Sequence, residues 1–181
     1  MISAFIKAMR GSDSKGTLYW LARMVQGGED PRYIARRLVR FASEDAGLAD
    51  PRALSMAVAA SEAYRQLGRP EGELALAECA VNLATAPKSN RVYVAWGKAL
   101  ELAERTGDVA VPMHLRKALT NVMNEVRYGA GYEYPHDLPV ERQWQDAMPV
   151  EIATRDLYVP ATLGFERDRA CQEFCVRTIT E

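Results

Sequence analysis

Two Asp-Pro steps, Asp30-Pro31 and Asp50-Pro51, fix where helices begin in this chain, and the stretch between them limits the fold more than any bulk property does. Asp30 stands at an N-cap position, its carboxylate able to accept from an unpaired helical N–H. Pro31 falls in the first turn, where a missing N–H costs nothing. Ile34, Leu38 and Phe41 recur at helical spacing and define one buried face. Gly47 stops this helix before Asp50-Pro51 opens the next.

The same punctuation runs along most of the chain. Ile2, Phe5, Ile6 and Met9 predict a helix that begins at once, with no capping residue; Met1 reads as an artificial start or as an internal methionine of a longer protein. Ser12 or Asp13 caps a helix with Leu18, Leu21 and Val25 on one face, ending at Gly27-Gly28. After Pro51 a helix carries Leu54, Ala57, Val58, Ser61 and Tyr64 as far as Gly68, and Arg69-Pro70-Glu71 opens an alanine-rich one. Ala75, Ala77, Ala80, Ala84 and Ala86 let a neighbour approach at the short end of the usual range of about 8–10 Å, so this helix is expected near the centre.

Pro87 ends it, and Ser89 caps a helix bearing Val92, Trp96, Ala99, Leu100 and Ala103 that closes at Gly107-Asp108. Pro112 begins another, with Leu115, Leu119, Val122, Met123 and Val126 on its apolar face before Gly129 and Gly131 break it. From Tyr128 to Pro160 four prolines, several tyrosines and no sustained periodicity predict an irregular arm over the helices, and a last amphipathic helix is expected from Thr162 toward Arg177. Strand signals are almost absent and no fixed repeat is visible. The expected fold is therefore all-α: a compact, collar-like set of helices with short connections, an irregular Tyr/Pro-rich arm and a C-terminal helix.

With 181 residues the chain can bury a real core, and a formal charge of −1 denies it the overall basicity that drives sequence-independent nucleic-acid binding. Any such contact must come from a local patch. The three cysteines, Cys79, Cys171 and Cys175, form no disulfide framework, and no apolar run reaches the ~18 residues of a membrane span, so a cytoplasmic, non-membrane location is expected.

Chemistry-bearing motifs are sparse. The one Gly-Lys pair, Gly97-Lys98, lies inside a predicted helix and lacks the glycine-rich loop that lets backbone N–H groups cradle phosphates, so no bound ATP or other cofactor is expected in this chain. Cys171 and Cys175 share a helical face, but with His114, His136 and Cys79 they do not complete a zinc ligand set. His136-Asp137 invites a general-base reading without a placed nucleophile; the alternative is backbone hydrogen bonding in the arm. Tyr128, Tyr132 and Tyr134 suit either base stacking or subunit contact. Arg32, Arg36 and Arg40, with Arg37 beside them, form one basic stripe, and Arg91, Lys98 and Arg105 a second. Phosphates or an acidic peptide could dock there, or nearby acids could pair them on an ordinary solvated surface.

Several segments together carry a resemblance: Arg10-Gly11-Ser12-Asp13, Leu18 to Met24, Ile34 to Asp50, Pro70 to Ala75, Ala86-Pro87-Lys88-Ser89-Asn90, and Tyr128 to Asp137. In these the chain resembles the C-terminal region of the MgsA/RarA family, replication-associated recombination AAA+ ATPases related to clamp loaders and to the Werner-helicase-interacting protein. Tyr158, Pro160, Gly164 and Glu166 follow the family's closing pattern, whereas Lys117, Leu119 and Arg127 stand where the family usually has Asn, Pro and Gly. Leu119 in place of a helix breaker predicts a smoother helix there.

The resemblance implies a DNA-dependent ATPase acting in replication, recombination and repair at stalled or gapped forks, with ATP and magnesium in an ATPase core upstream of Met1. It also implies assembly as a homotetramer through the C-terminal helices, association with single-stranded-DNA-binding protein and fork DNA, and a nucleoid-associated cytoplasmic location. On that basis 1–27 joins the lid of the ATPase core, 28–127 is the helical oligomerisation core, and 128–181 is the arm with its C-terminal helix.

Two functional readings lead. In the first the chain is a non-catalytic oligomerisation and partner-binding domain, with Lys88, Ser89, Asn90, Arg116, Tyr128, Tyr132, Tyr134 and His136 as contact residues. In the second it grips single-stranded or fork DNA directly, through Arg32, Arg36, Arg40, Arg91 and Lys98. A small helical enzyme built on His136 or Cys79 ranks below both, because no constellation converges on either.

Overall fold

A computed structural model describes residues 1–139, 146–153 and 156–168, and within them the chain is helical or irregular, with no strand. It divides into two units. The first is Met1–Ala95 with the described residues from Tyr158 onward, and the second is the described part of Trp96–Leu157.

The first unit contains α1 (Ile2–Arg10), α2 (Ser14–Gln26), α3 (Pro31–Phe41), α4 (Ala53–Leu67), α5 (Glu71–Thr85) and the first turn of α6 (Arg91–Arg105). Its boundaries follow the capping residues. Asp13 accepts from Gly16 N at 2.9 Å, and Asp30 accepts from Arg32 N at 2.9 Å. Asp50 repeats the second contact with Arg52 N at 3.1 Å, although α4 proper starts only at Ala53 after a turn through Pro51 and Arg52.

Phe5, Met9, Ile34, Leu38 and Phe41 lie in the core as expected, and α5 touches α1, α2, α3 and α4, the central place its alanines predict. Two faces differ from expectation. On α2, Leu18 is exposed, and Thr17, Leu21, Met24 and Val25 turn inward; Thr17 tolerates burial because its hydroxyl donates to Asp13 O at 2.7 Å. On α4, Leu54 and Val58 face outward while Ala53, Ala57, Ala60 and Tyr64 are buried. Small residues win that contact because α4 and α5 run close together: a Cβ on Gly72 would stand 2.9 Å from the Cα of Tyr64.

The helix from Pro31 does not continue regularly to Gly47. At Ala42–Ala46 it widens into a π-helical turn, followed by a 3-10 turn at Gly47–Ala49. Such a turn leaves carbonyls free of the usual ladder, and those of Asp45 and Ala46 accept from Ser89 N at 2.8 and 3.2 Å. The segment from Tyr158 lies against the same region, since a Cβ on Gly164 would strike the Ala49 carbonyl oxygen and the ring of Pro87. Its Glu166 is wholly buried and accepts from the Tyr158 hydroxyl at 2.6 Å. Residues 164–168 are helical; the continuation toward Arg177, with Cys171 and Cys175, lies outside the described residues.

In the second unit the expected long helix after Pro112 is replaced by a 3-10 turn at Met113–Leu115, an extended stretch, and α7 (Asn121–Glu125). Leu119, Val122 and Val126 remain exposed. The break is held by bonds a continuous helix would forbid: Arg116 Nε donates to Val111 O at 2.7 Å, and Gly129 N donates to Met113 O at 2.8 Å. Thr120 then caps α7 through Met123 N at 3.3 Å. Absence of a proline at 119 therefore does not smooth the helix. Arg127, where the resemblance implies glycine as the usual residue, has φ of 63°, the left-handed backbone that glycine adopts freely. The described part of the arm is irregular, with one 3-10 turn at Pro135–Asp137.

Candidate functional site

Where the π-helical turn meets the start of α6, the first unit opens a cleft of about 640 Å³. Arg10, Asp45, Lys88, Asn90, Arg91 and Tyr93 are among its lining residues, and the backbone around Thr162 forms another wall. Lys88, Ser89 and Asn90, expected as subunit or partner contacts, and Arg91, expected as a possible DNA or acidic-peptide contact, all line this cleft.

They do different work. Ser89 is buried, its N–H held by the π turn and its hydroxyl accepting from Arg91 N at 3.3 Å, so it caps α6. Lys88 turns inward. Its Nζ donates to Ala84 O at 2.7 Å, Ala86 O at 2.8 Å and the Ser12 hydroxyl at 3.0 Å, closing the C-terminus of α5 and tying it to the α1–α2 turn. Burial lowers the pKa of this ammonium, and nearby Asp45 partly offsets the shift. Asn90 and Arg91 are exposed and form the accessible rim.

Arg10 and Asp45 are additions that spacing alone does not reveal. Arg10 Nε reaches one carboxylate oxygen of Asp45 at 2.6 Å and Nη2 the other at 3.0 Å, a bidentate pair across 35 positions of chain. The Asp45 hydrogen bond raises the Arg10 pKa further, which is what a charge-assisted bidentate pair does to its guanidinium.

The first basic stripe is not uniform. Arg40 Nε pairs with Glu44 at 2.7 Å, Arg36 lies 5.8 Å from the centre of the Tyr33 ring, and Arg32 is exposed. In the second stripe Lys98 is exposed and Arg105 lies 3.5 Å from Glu101.

In the second unit the Arg116 guanidinium lies 5.2 Å from the centre of the Tyr128 ring, with Nη1 at 3.4 Å from its hydroxyl. Tyr134 and His136 stack obliquely at 5.1 Å, and Tyr132 and Tyr134 are exposed. His114 Nε2 is 3.0 Å from Asp146 O. Among the described residues no three His, Cys, Asp or Glu gather as metal ligands, and no helix is long and apolar enough to cross a membrane.

Cys79 is sealed in the core on α5, and burial pushes its thiol up to about 12 from an ordinary 9.0. The folded state keeps a proton that the unfolded chain releases above about 9. Stability conferred by the neutral thiol is therefore complete below that value and declines as pH rises toward 12. Urea midpoints measured at pH 8 and pH 10.5 should fall further for the wild type than for Cys79→Ala; equal falls would contradict this reading.

A family model described as "MgsA AAA+ ATPase C terminal" matches residues 11–173, which include α2 to α7 and every residue lining the cleft except Arg10. The chain belongs to that family. It is 47% identical over 166 residues to replication-associated recombination protein A of Coxiella burnetii, covering 91% of this chain and 38% of that protein. The protein of the same name from Escherichia coli K12 is 46% identical over 167 residues, covering 92% and 37%. ATPase WRNIP1 of Dictyostelium discoideum is 47% identical over 136 residues, covering 75% of this chain and 16% of that protein. This MgsA-family chain thus spans well under half the length of these relatives, and the region it matches is the C-terminal part of an AAA+ ATPase.

Proposed function

We propose that this domain holds copies of a DNA-dependent AAA+ ATPase together as a homotetramer and presents a binding face to partner proteins during replication, recombination and repair at stalled forks. The domain is not itself catalytic in this reading; ATP and magnesium belong to the ATPase core of the whole protein. Single-stranded-DNA-binding protein and fork DNA are the partners of that whole protein.

One observation carries the assembly. Of the fifteen residues of α6 only Leu102 is buried, while Val92, Trp96 and Leu100 are exposed at four-residue intervals along one face, Trp96 at 63%. A helix with an apolar stripe of this kind gains its stability from whatever covers the stripe. A second copy of the same surface is the economical cover, as closed symmetric oligomers reuse one patch in every subunit. The names of the relatives, which speak of replication-associated recombination, support the cellular setting of this reading.

Light scattering on the purified chain at micromolar concentration should give four chain masses. Trp96→Arg should return monomers whose circular dichroism is unchanged. A wild-type monomer, or a tetramer indifferent to Trp96→Arg, would overturn the proposal.

A further inference from the structure

Counter-ions are unevenly distributed over the first unit. Arg10 is neutralised by Asp45 and Arg40 by Glu44. Arg37, between them in space, has no acidic partner among the described residues, and its Nε is buried without a hydrogen bond. A guanidinium cannot shed its proton, so a partly desolvated one without a counter-ion is costly. The fold tolerates it at the meeting of two clefts. One, of about 210 Å³, runs from Arg37 toward Arg40 and Phe41 and is also lined by Glu44 and Asp45, the acids paired with Arg40 and Arg10; the other, of about 330 Å³, lies between α1 and α3 and includes Lys7 and Tyr33. Ile6, Arg10 and Arg37 line both. No acid lines the larger cleft, whose charged residues are Lys7, Arg10 and Arg37.

We propose that the α1–α3 cleft is a phosphodiester site for single-stranded nucleic acid, in which Arg37 and Lys7 hold backbone phosphates and Tyr33 receives a base. The chemistry selects this occupant over an acidic peptide. An extended peptide docks largely through backbone hydrogen bonds along an open edge, and two helices side by side offer few, since beyond the first turn their N–H groups are engaged within each helix. A nucleic-acid strand requires cations for its phosphates and an aromatic face for a base, and Lys7, Arg37 and Tyr33 line this one cleft. This site differs from the Arg32, Arg36 and Arg40 stripe: its two receptors come from different helices, so spacing along one helix cannot reveal it.

The proposal stands apart from assembly, as a monomer could carry this cleft. Its test is fluorescence anisotropy of the full chain with a labelled oligothymidylate about 16 nucleotides long, titrated from about 50 mM salt upward. Arg37→Gln should weaken binding about tenfold and reduce the log–log salt slope by about 0.7, the value for one phosphate of a single strand. Lys7→Gln, at an exposed position, should lower affinity and slope in the same direction and carries the test should Arg37→Gln melt early. Arg65→Gln, whose parent residue is paired with Glu62, should leave affinity unchanged.

Three results would overturn the site: no binding by the wild type at low salt, Gln variants that bind as the wild type does, or a polyglutamate peptide that displaces the strand more effectively than unlabelled oligothymidylate. Light scattering on the same samples separates this outcome from the assembly reading.

Discussion

Gly47→Ala should destabilise the first unit by about 3 kcal/mol, combining backbone strain of about 1–3 kcal/mol with an overpacking cost of similar size. Gly47 has φ of 51° and ψ of −141°, a region a side chain rarely enters, and a Cβ there would run into the carbonyl oxygen of Ser89. Relief of the clash would pull the 88–90 segment away from the π-helical turn and break the bonds from Ser89 N to Asp45 O and Ala46 O. The start of α6 would then lose its anchor. Thermal melting of the variant should show a drop of several degrees with a single transition, and a shift within error of wild type would refute the close approach at this junction. Gly28, with φ of 78° and open space around it, is the matched control, because alanine there meets strain without collision.

Lys88→Met should cost about 2–3 kcal/mol, the order expected for removing charge-assisted hydrogen bonds and leaving carbonyls without a donor. Methionine retains most of the aliphatic stem, so the loss measures the ammonium and its three acceptors, Ala84 O, Ala86 O and the Ser12 hydroxyl. Lys88→Arg should recover part of it. The experiment also distinguishes two roles. A residue that closes α5 from within its own chain lowers the melting temperature at any protein concentration. A residue whose work is at a subunit contact lowers it only through dissociation, and the effect fades as concentration rises. The geometry predicts the first pattern.

Helix starts were legible because a cap is settled within three residues of itself. Asp13 and Asp30 needed no knowledge of the rest of the fold, and Pro31 and Pro87 act through their own rings. The central position of α5 followed from its alanines for a similar reason: small side chains permit close approach wherever the partner comes from. The Lys88-Ser89-Asn90 junction was recognisable as a special place, although its nature was not; Lys88 faces inward to a helix terminus it had itself just left.

Burial, by contrast, depends on neighbours remote in sequence. Periodicity assigned Leu54 and Val58 to the same face as Ala57 and Tyr64, yet only the latter two are buried, joined by Ala53 and Ala60, since α5 approaches from that side. The Arg10–Asp45 pair joins positions 35 apart, and the bond from Gly129 N to Met113 O breaks a helix whose own residues would have continued it. Arg37 belongs to the same class: its lack of a partner becomes visible only once Asp45 and Glu44 are seen to pair with others.

By itself the sequence determined the helical class of this protein, most of its helix starts and the family to which it belongs, because those rest on local capping and on residues matched along the chain. Tertiary structure alone decided that Leu18, Leu54 and Val58 face outward, where the π-helical turn falls and which charges are left unpaired. Each of those is a competition among groups far apart in the chain, and close packing resolves it with no local signal.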